Sequence, residues 1–443
     1  MRSFIRTKNC PDKAYIERGN NMFKSSVRTL AMLVAVMIVL SACGSENSQS
    51  QASNNGDKKL SGDLTVYTWA GDPFQTAWQD IGNQFTEKTG VKVSFDAVPW
   101  ENVREKCTLD LASGSGAVDV VYVHPSWFQE YAENGYLKPV DQYASEAEMA
   151  EFVPDLLDYY RLNGTVYGLP DFITSQTLAY RKDLFEDKGI EPPKSWDDIL
   201  AAAELFSDGD NLYGITFPGK RSGALASMFS ALLVSNGGWY YDESGKPSVN
   251  SNNAIETAEF MQKLAKYAPT GFMNFQWDEN SNVASAGKAA MALIMVVNSK
   301  WLDDPEKSAT AGKWGYVPIT SNLGTPGGVV DSYCWSVSTS SKNQEAAAEL
   351  VKMLAGTEAQ AYFTEKSGTC GATKEYYEDQ ALVAANPVLE ALNKTLENTK
   401  PYPVWKTWSA QQETLEAELQ SVMNGETKPA DAMQKLQKQM EQE

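Results

Sequence analysis

From Asp63 onward, apolar and polar positions switch between two periods along the chain. Leu64 to Tyr67 in "DLTVYTWAGD" reads as a buried strand. Phe74 to Thr89 carries a helical pattern that Gly90 ends, and "VKVSFDAV" (91–98) alternates as a second strand. A further helix leads to "VDVVYV" (Val118 to Val123), apolar enough to be covered on both faces. Strands alternating with helices predict a mostly parallel α/β sheet. Ser195 after Pro192-Pro193 caps another predicted helix. Ala254 to Tyr267 is amphipathic, "AAMALIMVV" (Ala289 to Val297) is a buried strand, and Glu345 to Leu354 is helical. From Gln411 the chain is helical again: Leu415, Leu419 and Val422 share one face, then Ala432, Leu436 and Met440 after the break at Gly425 and Pro429. No repeat at a fixed period is visible.

Before Asp63 the pattern is different. Leu30 to Leu40, "LAMLVAVMIVL", is apolar but shorter than the roughly 20 residues a bilayer span needs. Lys24 and Arg28 precede it, and Ser41, Ala42 and Cys43 follow. Basic flank, short apolar run and small residues describe a signal peptide, and Leu40-Ser41-Ala42-Cys43 resembles the bacterial lipobox. The expected organisation is a signal peptide over 1–42, with 1–21 an upstream over-call because Met22 begins a better signal. Cys43 then becomes the lipidated first residue. A flexible Ser/Asn/Gln/Gly-rich linker is expected over 43–61.

Composition narrows the partners. The 443 residues carry a formal charge of −19. From Cys43 onward 31 Lys and Arg face 55 Asp and Glu, a charge of −24. Such a surface repels nucleic acid and anionic head groups, so the membrane is expected as a partner only through the lipid. About 400 residues exceed one core, and two domains are expected. Cys107, Cys334 and Cys370 do not read as a disulfide framework, and a Cys334–Cys370 pair is left open with free thiols favoured. His124 is the one histidine, so His-dependent triads have a single candidate. There is no P-loop and no G-x-S-x-G, and Gly114-Ser115-Gly116 lies on the wrong side of its strand for a dinucleotide fingerprint. Asp208-Gly209-Asp210-Asn211 fails as a calcium loop, since Leu212 and Gly219 stand where ligands should. No catalytic residue, metal or cofactor is expected.

"NGTVYGLPDFITSQTLAYRKDLFEDKGIEPPKSWDDILAAAELF" (Asn163 to Phe206) resembles the family 1 extracellular solute-binding proteins of ABC importers, the group that includes maltose-binding protein. Typical members read like "G-K-x-Y-G-L-P", "Y-N-x-D-L-F" and "P-P-x-T-W-[DE]-E"; here Arg181 replaces the usual Asn and Ser195 the usual Thr. Val118 to Val140, Asn236 to Ser251, Gly287 to Trp301 and Asn424 to Gln437 are similar to the family in the same order, so the resemblance covers nearly all of 62–443. It implies an α/β fold of the two-lobed periplasmic-binding-protein type (type II), with a hinge and a ligand cleft between lobes. The chain would cross near Asp171–Thr174, Val330–Cys334 and Gly368–Gly371, giving lobe 1 as 62–171 plus 332–370 and lobe 2 as 172–331 plus 371–443. It further implies a monomeric, lipid-anchored receptor on the outer face of the cytoplasmic membrane. Such a receptor would bind a carbohydrate, most often an oligosaccharide, and deliver it to ABC permease subunits.

A sugar offers polar edges and apolar C–H faces, so its binder needs flat aromatics beside short polar acceptors. The candidates lie at strand ends and crossings. They are Trp69, Asp72, Ser126, Trp127, Phe172, Thr174, Trp239, Asn298, Trp301, Asp331 and Tyr333. Trp69, Trp127 and Trp239 form the expected aromatic cradle, with Asp72 and Asp331 as acceptors. Trp301, Trp335 and Trp408 suit packing as readily as binding, and His124 suits a hydrogen-bonded loop. Two other readings stay open: a secreted carbohydrate-active enzyme, and a receptor for a non-sugar solute such as a polyamine.

Overall fold

The computed structural model of the chain describes residues 60–442 apart from 72, 379, 381, 382, 384, 385 and 406. The expected signal peptide, Cys43, most of the linker and Asp72 therefore lie outside the described residues. No helix among the described residues is long and apolar enough to cross a membrane.

The first sheet begins with β1 (Leu64–Trp69), α1 (Phe74–Thr89), β2 (Val93–Val98), α2 (Trp100–Ser113), β3 (Val120–Val123) and α3 (Pro125–Glu133). α1 stops because Gly90 adopts φ 80°, a left-handed turn glycine takes without steric cost. β1 pairs in parallel with β2 (Leu64 opposite Val93) and with β3 (Val66 opposite Val120). The chain then enters β4 (Leu169–Thr174) and turns at Ser175 into β5 (Gln176–Arg181). β5 is the centre of a second, antiparallel sheet. Its neighbours are β6 (Met291–Met295, Leu293 opposite Leu178) and β7 (Trp314–Val317, Val317 opposite Leu178). Around this sheet lie α4 (Trp196–Phe206), α5 (Ala224–Ser235), α6 (Asn252–Leu264) and α7 (Trp277–Ser285). Ser195 caps α4 by accepting the Asp198 N–H at 3.1 Å.

The long strand β8 (Gly328–Val337) returns the chain to the first sheet. It is followed by α8 (Gln344–Ala355), α9 (Thr357–Ser367), β9 (Cys370–Gly371), α10 (Pro387–Leu396), β10 (Thr399–Pro401), α11 (Trp408–Met423) and α12 (Pro429–Met440). The first sheet has the order β9-β4-β8-β3-β1-β2, with β10 beside the start of β8. The mostly parallel sheet expected from the sequence is corrected here. β8 runs antiparallel to β3 and β4, β9 is antiparallel to β4, and the second sheet is antiparallel around β5. A chain that leaves along one strand and comes back along the next must reverse direction, and the alternating pattern of strands and helices does not record that reversal.

Burial divides the molecule into two hydrophobic cores. Leu64, Val66, Val121, Trp335 and Leu350 belong to the first; Leu178, Phe229, Leu293, Leu415 and Leu436 belong to the second. β8 passes from one to the other between Val329 and Val330, and the β4–β5 link does so between Ile173 and Leu178. Ala372, Tyr376, Val388, Leu389 and Leu392 join the first core, while α10 also packs on β7. The described cysteines, Cys107, Cys334 and Cys370, are buried free thiols. Cys334 and Cys370 sit on the two strands that flank β4, opposite Pro170 and Ile173. Two strand spacings, roughly 9.5 Å, exceed the reach of a disulfide.

Candidate functional site

A cleft of about 750 Å³ opens between the strand ends of the two sheets. Its first-lobe wall is built on the β3–α3 junction. β3 ends at Val123, His124 takes an extended N-cap conformation, and Pro125 opens the helix where a missing N–H costs nothing. The His124 Nδ1 accepts the Ser126 backbone N–H at 3.2 Å and lies 2.7 Å from the Ser126 hydroxyl. An N–H can only donate, so Nδ1 is an acceptor and the ring proton sits on Nε2. Nε2 then donates to Asp331 Oδ1 at 2.9 Å. The Ser332 N–H donates to the same oxygen at 2.9 Å, and no described group donates to Oδ2. Asp331 belongs to β8 next to the point where it changes cores, so one acceptor is fixed in the hinge strand itself. Arg104, Gln129, Glu130, Glu133 and Asn134 line the outer part of this wall.

The second-lobe wall is mostly aromatic and uncharged. Gln276 and Trp277 start α7, Gly223 and Ala224 start α5, and Tyr402, Val404, Trp405 and Trp408 lead into α11. Gly223 adopts φ 88°, and a side chain there would stand over the Tyr402 hydroxyl and Gln412. Glu416 of α11 accepts the Gly223 and Ala226 N–H groups at 2.8 and 3.2 Å, which closes the start of α5. Burial raises the Glu416 carboxyl above its ordinary range, and those same N–H bonds oppose the rise. Burial also pushes the Tyr402 hydroxyl up, with Asp331 adding to it. Trp405 donates its indole N–H to Gln411 at 2.6 Å and meets Trp408 edge-on at 5.1 Å. The His124 ring lies 4.8 Å from Tyr333 and 6.0 Å from Tyr402, so aromatic faces flank the polar centre.

Of the candidate site residues, Ser126, Asp331 and Tyr333 line this cleft together, as do His124 and Trp408, which the sequence left as a loop residue and as packing or binding. Asp72 lies outside the described residues, and the other candidates sit behind the cleft or elsewhere. Trp69 is half-buried edge-on against Tyr333 at 4.7 Å, and Phe172 stacks on Tyr333 at 5.7 Å. Trp127 is buried beside His124, ring centres 5.1 Å apart. Thr174, buried, stands opposite Asp331 in the β4–β8 register. Trp239 packs edge-on against Tyr240 in the second core, Trp301 packs on the first, and Asn298 is buried at the end of a 3₁₀ turn. Not foreseen as site residues were Tyr402, Trp277, Gln276, Gln412 and the Arg104/Glu130/Glu133 rim. Of these, only the aromatic density of "YPVWKTW" (402–408) gave a signal.

A second cavity, of about 780 Å³, lies on the outer side of the first lobe between α1, α8 and α9. It is lined by opposed charges such as Lys88, Glu151, Glu358, Lys374 and Glu375, and it touches only one core. The cleft joins both lobes at their strand ends, where α/β folds place ligands, and is the stronger candidate.

The fold and cleft agree with what similar proteins show. The model of the family described as bacterial extracellular solute-binding protein matches residues 71–361. The chain belongs to that family. A binding protein of Brucella abortus (strain 2308) is 27% identical over 77% of this chain and 83% of its own. The erythritol/L-threitol-binding protein of Mycolicibacterium smegmatis is 26% identical over 74% of this chain and 76% of its own. The maltose-bound structure of T. maritima MalE3 superposes with a TM-score of 0.78 at 23% identity, covering 85% of this chain and 98% of that one. The solute-binding protein therefore has the two-lobed, hinged fold of this family, with its cleft between the lobes.

Proposed function

We propose that the protein is the extracytoplasmic receptor of an ABC importer for a carbohydrate, and that it hands an oligosaccharide to the permease. The observation that carries this reading is the make-up of the cleft: the aromatic side chains Tyr333, Tyr402, Trp277 and Trp405 line it together with a fixed polar centre, Asp331–His124–Ser126. Flat rings suit the C–H faces of a sugar, and a carboxylate suits its hydroxyl edge. Asp331 and Tyr333 accept and stack, Ser126 orients, and Trp69, Trp127 and Phe172 support the contact residues from behind. A relative that binds erythritol and a structural neighbour that holds maltose are consistent with polyhydroxyl ligands of different lengths. A space of about 750 Å³ is far larger than a four-carbon polyol fills, which favours the longer class. Cys43, as lipidated first residue after removal of 1–42, would hold the receptor at the outer face of the membrane.

The test is a thermal-shift screen of the purified chain from Cys43 onward against glycans, polyols and polyamines. A ligand at 100 times its dissociation constant adds about 2.7 kcal/mol. An oligosaccharide that stabilises the protein and is recovered intact supports the receptor reading. Hydrolysis of that oligosaccharide, or stabilisation by polyamines alone, overturns it.

A further inference from the structure

The cleft is chemically lopsided. Among the described lining residues the single cationic side chain, Arg104, is already committed to Glu130 at 2.9 Å. Glu133 takes a hydrogen bond from Gln129 at 2.7 Å and, among the described residues, forms no ion pair. The described residues of the second-lobe lining supply no charged side chain. At the centre Asp331 has, among the described residues, only His124 and a backbone N–H as hydrogen-bond partners. Because His124 Nδ1 must accept from the Ser126 N–H, the imidazole reaches Asp331 with one proton and no positive charge. The pair therefore keeps the full negative charge of the carboxylate.

Helix starts could still seat an anion, and four of them reach the lining. Ser126 N–H at the start of α3 is taken by the His124 ring, and the start of α5 by Glu416. α7 is closed by its own capping box, Gln276 with Glu279. Only α11 begins without a side-chain cap. Its partial positive charge, about half a unit, is smaller than that of Asp331 and opposite in sign. The rings of Tyr333 and Tyr402, 4.8 and 6.0 Å from the His124 ring, add no charge to the same centre.

We propose that the cleft sorts saccharides by charge, with Asp331 as the specificity-determining residue: neutral sugars enter, amine-bearing sugars gain affinity, and uronates are rejected. This inference rests on the carbohydrate reading above. When the cleft closes on a ligand and water leaves, the repulsion between a ligand carboxylate and Asp331 grows as the surroundings become less polar. The same change strengthens the attraction for an ammonium group.

The test uses glucose-, galactose- and mannose-based trisaccharides, each in neutral, 2-amino and uronate form, with calorimetry at low salt and at about 0.5 M NaCl. On whichever scaffold binds, the uronate should be at least about tenfold weaker than the neutral sugar and the amine at least as strong. Asp331→Asn should bring the three forms within about threefold of one another, Glu133→Gln should narrow the gap less, and high salt should narrow it for the unaltered protein. If Asp331→Asn fails to fold, Glu133→Gln and the salt series carry the decision. Equal affinity for a neutral sugar and its uronate overturns the inference and leaves the carbohydrate reading intact. Binding of no scaffold in any form overturns that reading, and the inference with it.

Discussion

Two aromatic clusters, one in each lobe, do different work in this molecule. In the first lobe Trp69, Phe74, Trp78, Tyr122, Tyr333, Trp335 and Phe363 pack ring against ring, with centroids 4.2 to 6.0 Å apart. In the second lobe Tyr240, Tyr402, Trp405 and Trp408 form a looser edge-to-face group, most of which opens on the cleft. The first group is enclosed because α1 and α9 bring aromatics of their own, Phe74, Trp78 and Phe363, onto the face where β1, β3 and β8 place theirs. Of the second, Tyr402 and Trp405 lie between β10 and α11 and Trp408 opens α11, all three reaching the cleft lining, while Tyr240 is buried behind them in the second core. Aromatic content is the same in kind; what separates core from binding surface is whether a neighbouring element supplies a matching ring.

The largest effect expected from this comparison is on stability. Trp78 is 1% exposed and touches five other rings. Trp78→Ala should cost about 3–5 kcal/mol of folding free energy, while the protein that remains folded binds ligand with nearly unchanged affinity. Denaturant unfolding combined with calorimetry would check it. A loss of affinity without a loss of stability would mean that Trp78 sets the position of Tyr333 in the cleft and is not core packing alone.

The same cluster encloses Asp171, which accepts the Tyr122 hydroxyl at 2.6 Å and is 2% exposed. Burial raises its carboxyl from 3.8 to about 7, against the lowering effect of that bond and of the Trp335 and Trp78 indoles. The folded state thus prefers the protonated acid. Its contribution is present in full below about 3.8 and is lost as pH rises through about 7. Asp171→Asn keeps an acceptor for Tyr122 and removes the charge. Above pH 7 it should be more stable than the parent by up to roughly 4 kcal/mol, and near pH 4 by little. Melting curves over pH 4–9 that run parallel for the two proteins would refute the assignment.

These contrasts also mark what could be read from the sequence. The α/β alternation, α1 with its Gly90 stop, the Ser195 cap and the Leu415/Leu419/Val422 face follow from local pattern and turn chemistry, and all are present, while the two-lobed arrangement was implied by the family resemblance. Strand direction was not readable, because it depends on where the chain crosses between lobes. Trp69 and Phe172 end apolar strands that are covered on both faces. Alternation then gives parity but not which face meets a helix and which meets the cleft. Tyr402 follows a three-residue strand, too short to show a period, and Gln276 and Trp277 sit at a helix start whose place is set by tertiary packing alone. Asp331 and Ser126 were legible because each is a polar residue set beside a run of buried apolar ones.

The second cluster should show the reverse of Trp78. Trp405 lines the cleft and is only partly buried, against Tyr240, Tyr241 and Trp408. Trp405→Ala should weaken sugar binding by about 2 kcal/mol or more, the scale of an interface hot spot. That is roughly 30-fold in dissociation constant, with a modest drop in melting temperature. Unchanged affinity would move the platform to Trp277 and Tyr402.

The smallest effect is expected at Trp239, and it separates two tryptophans that share one neighbour. Trp239 and Trp405 both pack edge-on against Tyr240, at 5.2 and 5.6 Å, yet only Trp405 reaches the cleft lining. Trp239 follows the turn at Gly237 and Gly238 and lies half-buried on the second core. Its truncation removes one edge-to-face contact, on the order of 1 kcal/mol, and should lower the melting temperature by a few degrees or less. Affinity should stay within about twofold of the parent, roughly 0.4 kcal/mol. Calorimetry of Trp239→Ala beside Trp405→Ala gives the answer in one pair of titrations. Should both lose affinity equally, closure must carry Trp239 into contact with the ligand, and the second cluster would then act as a single mobile wall.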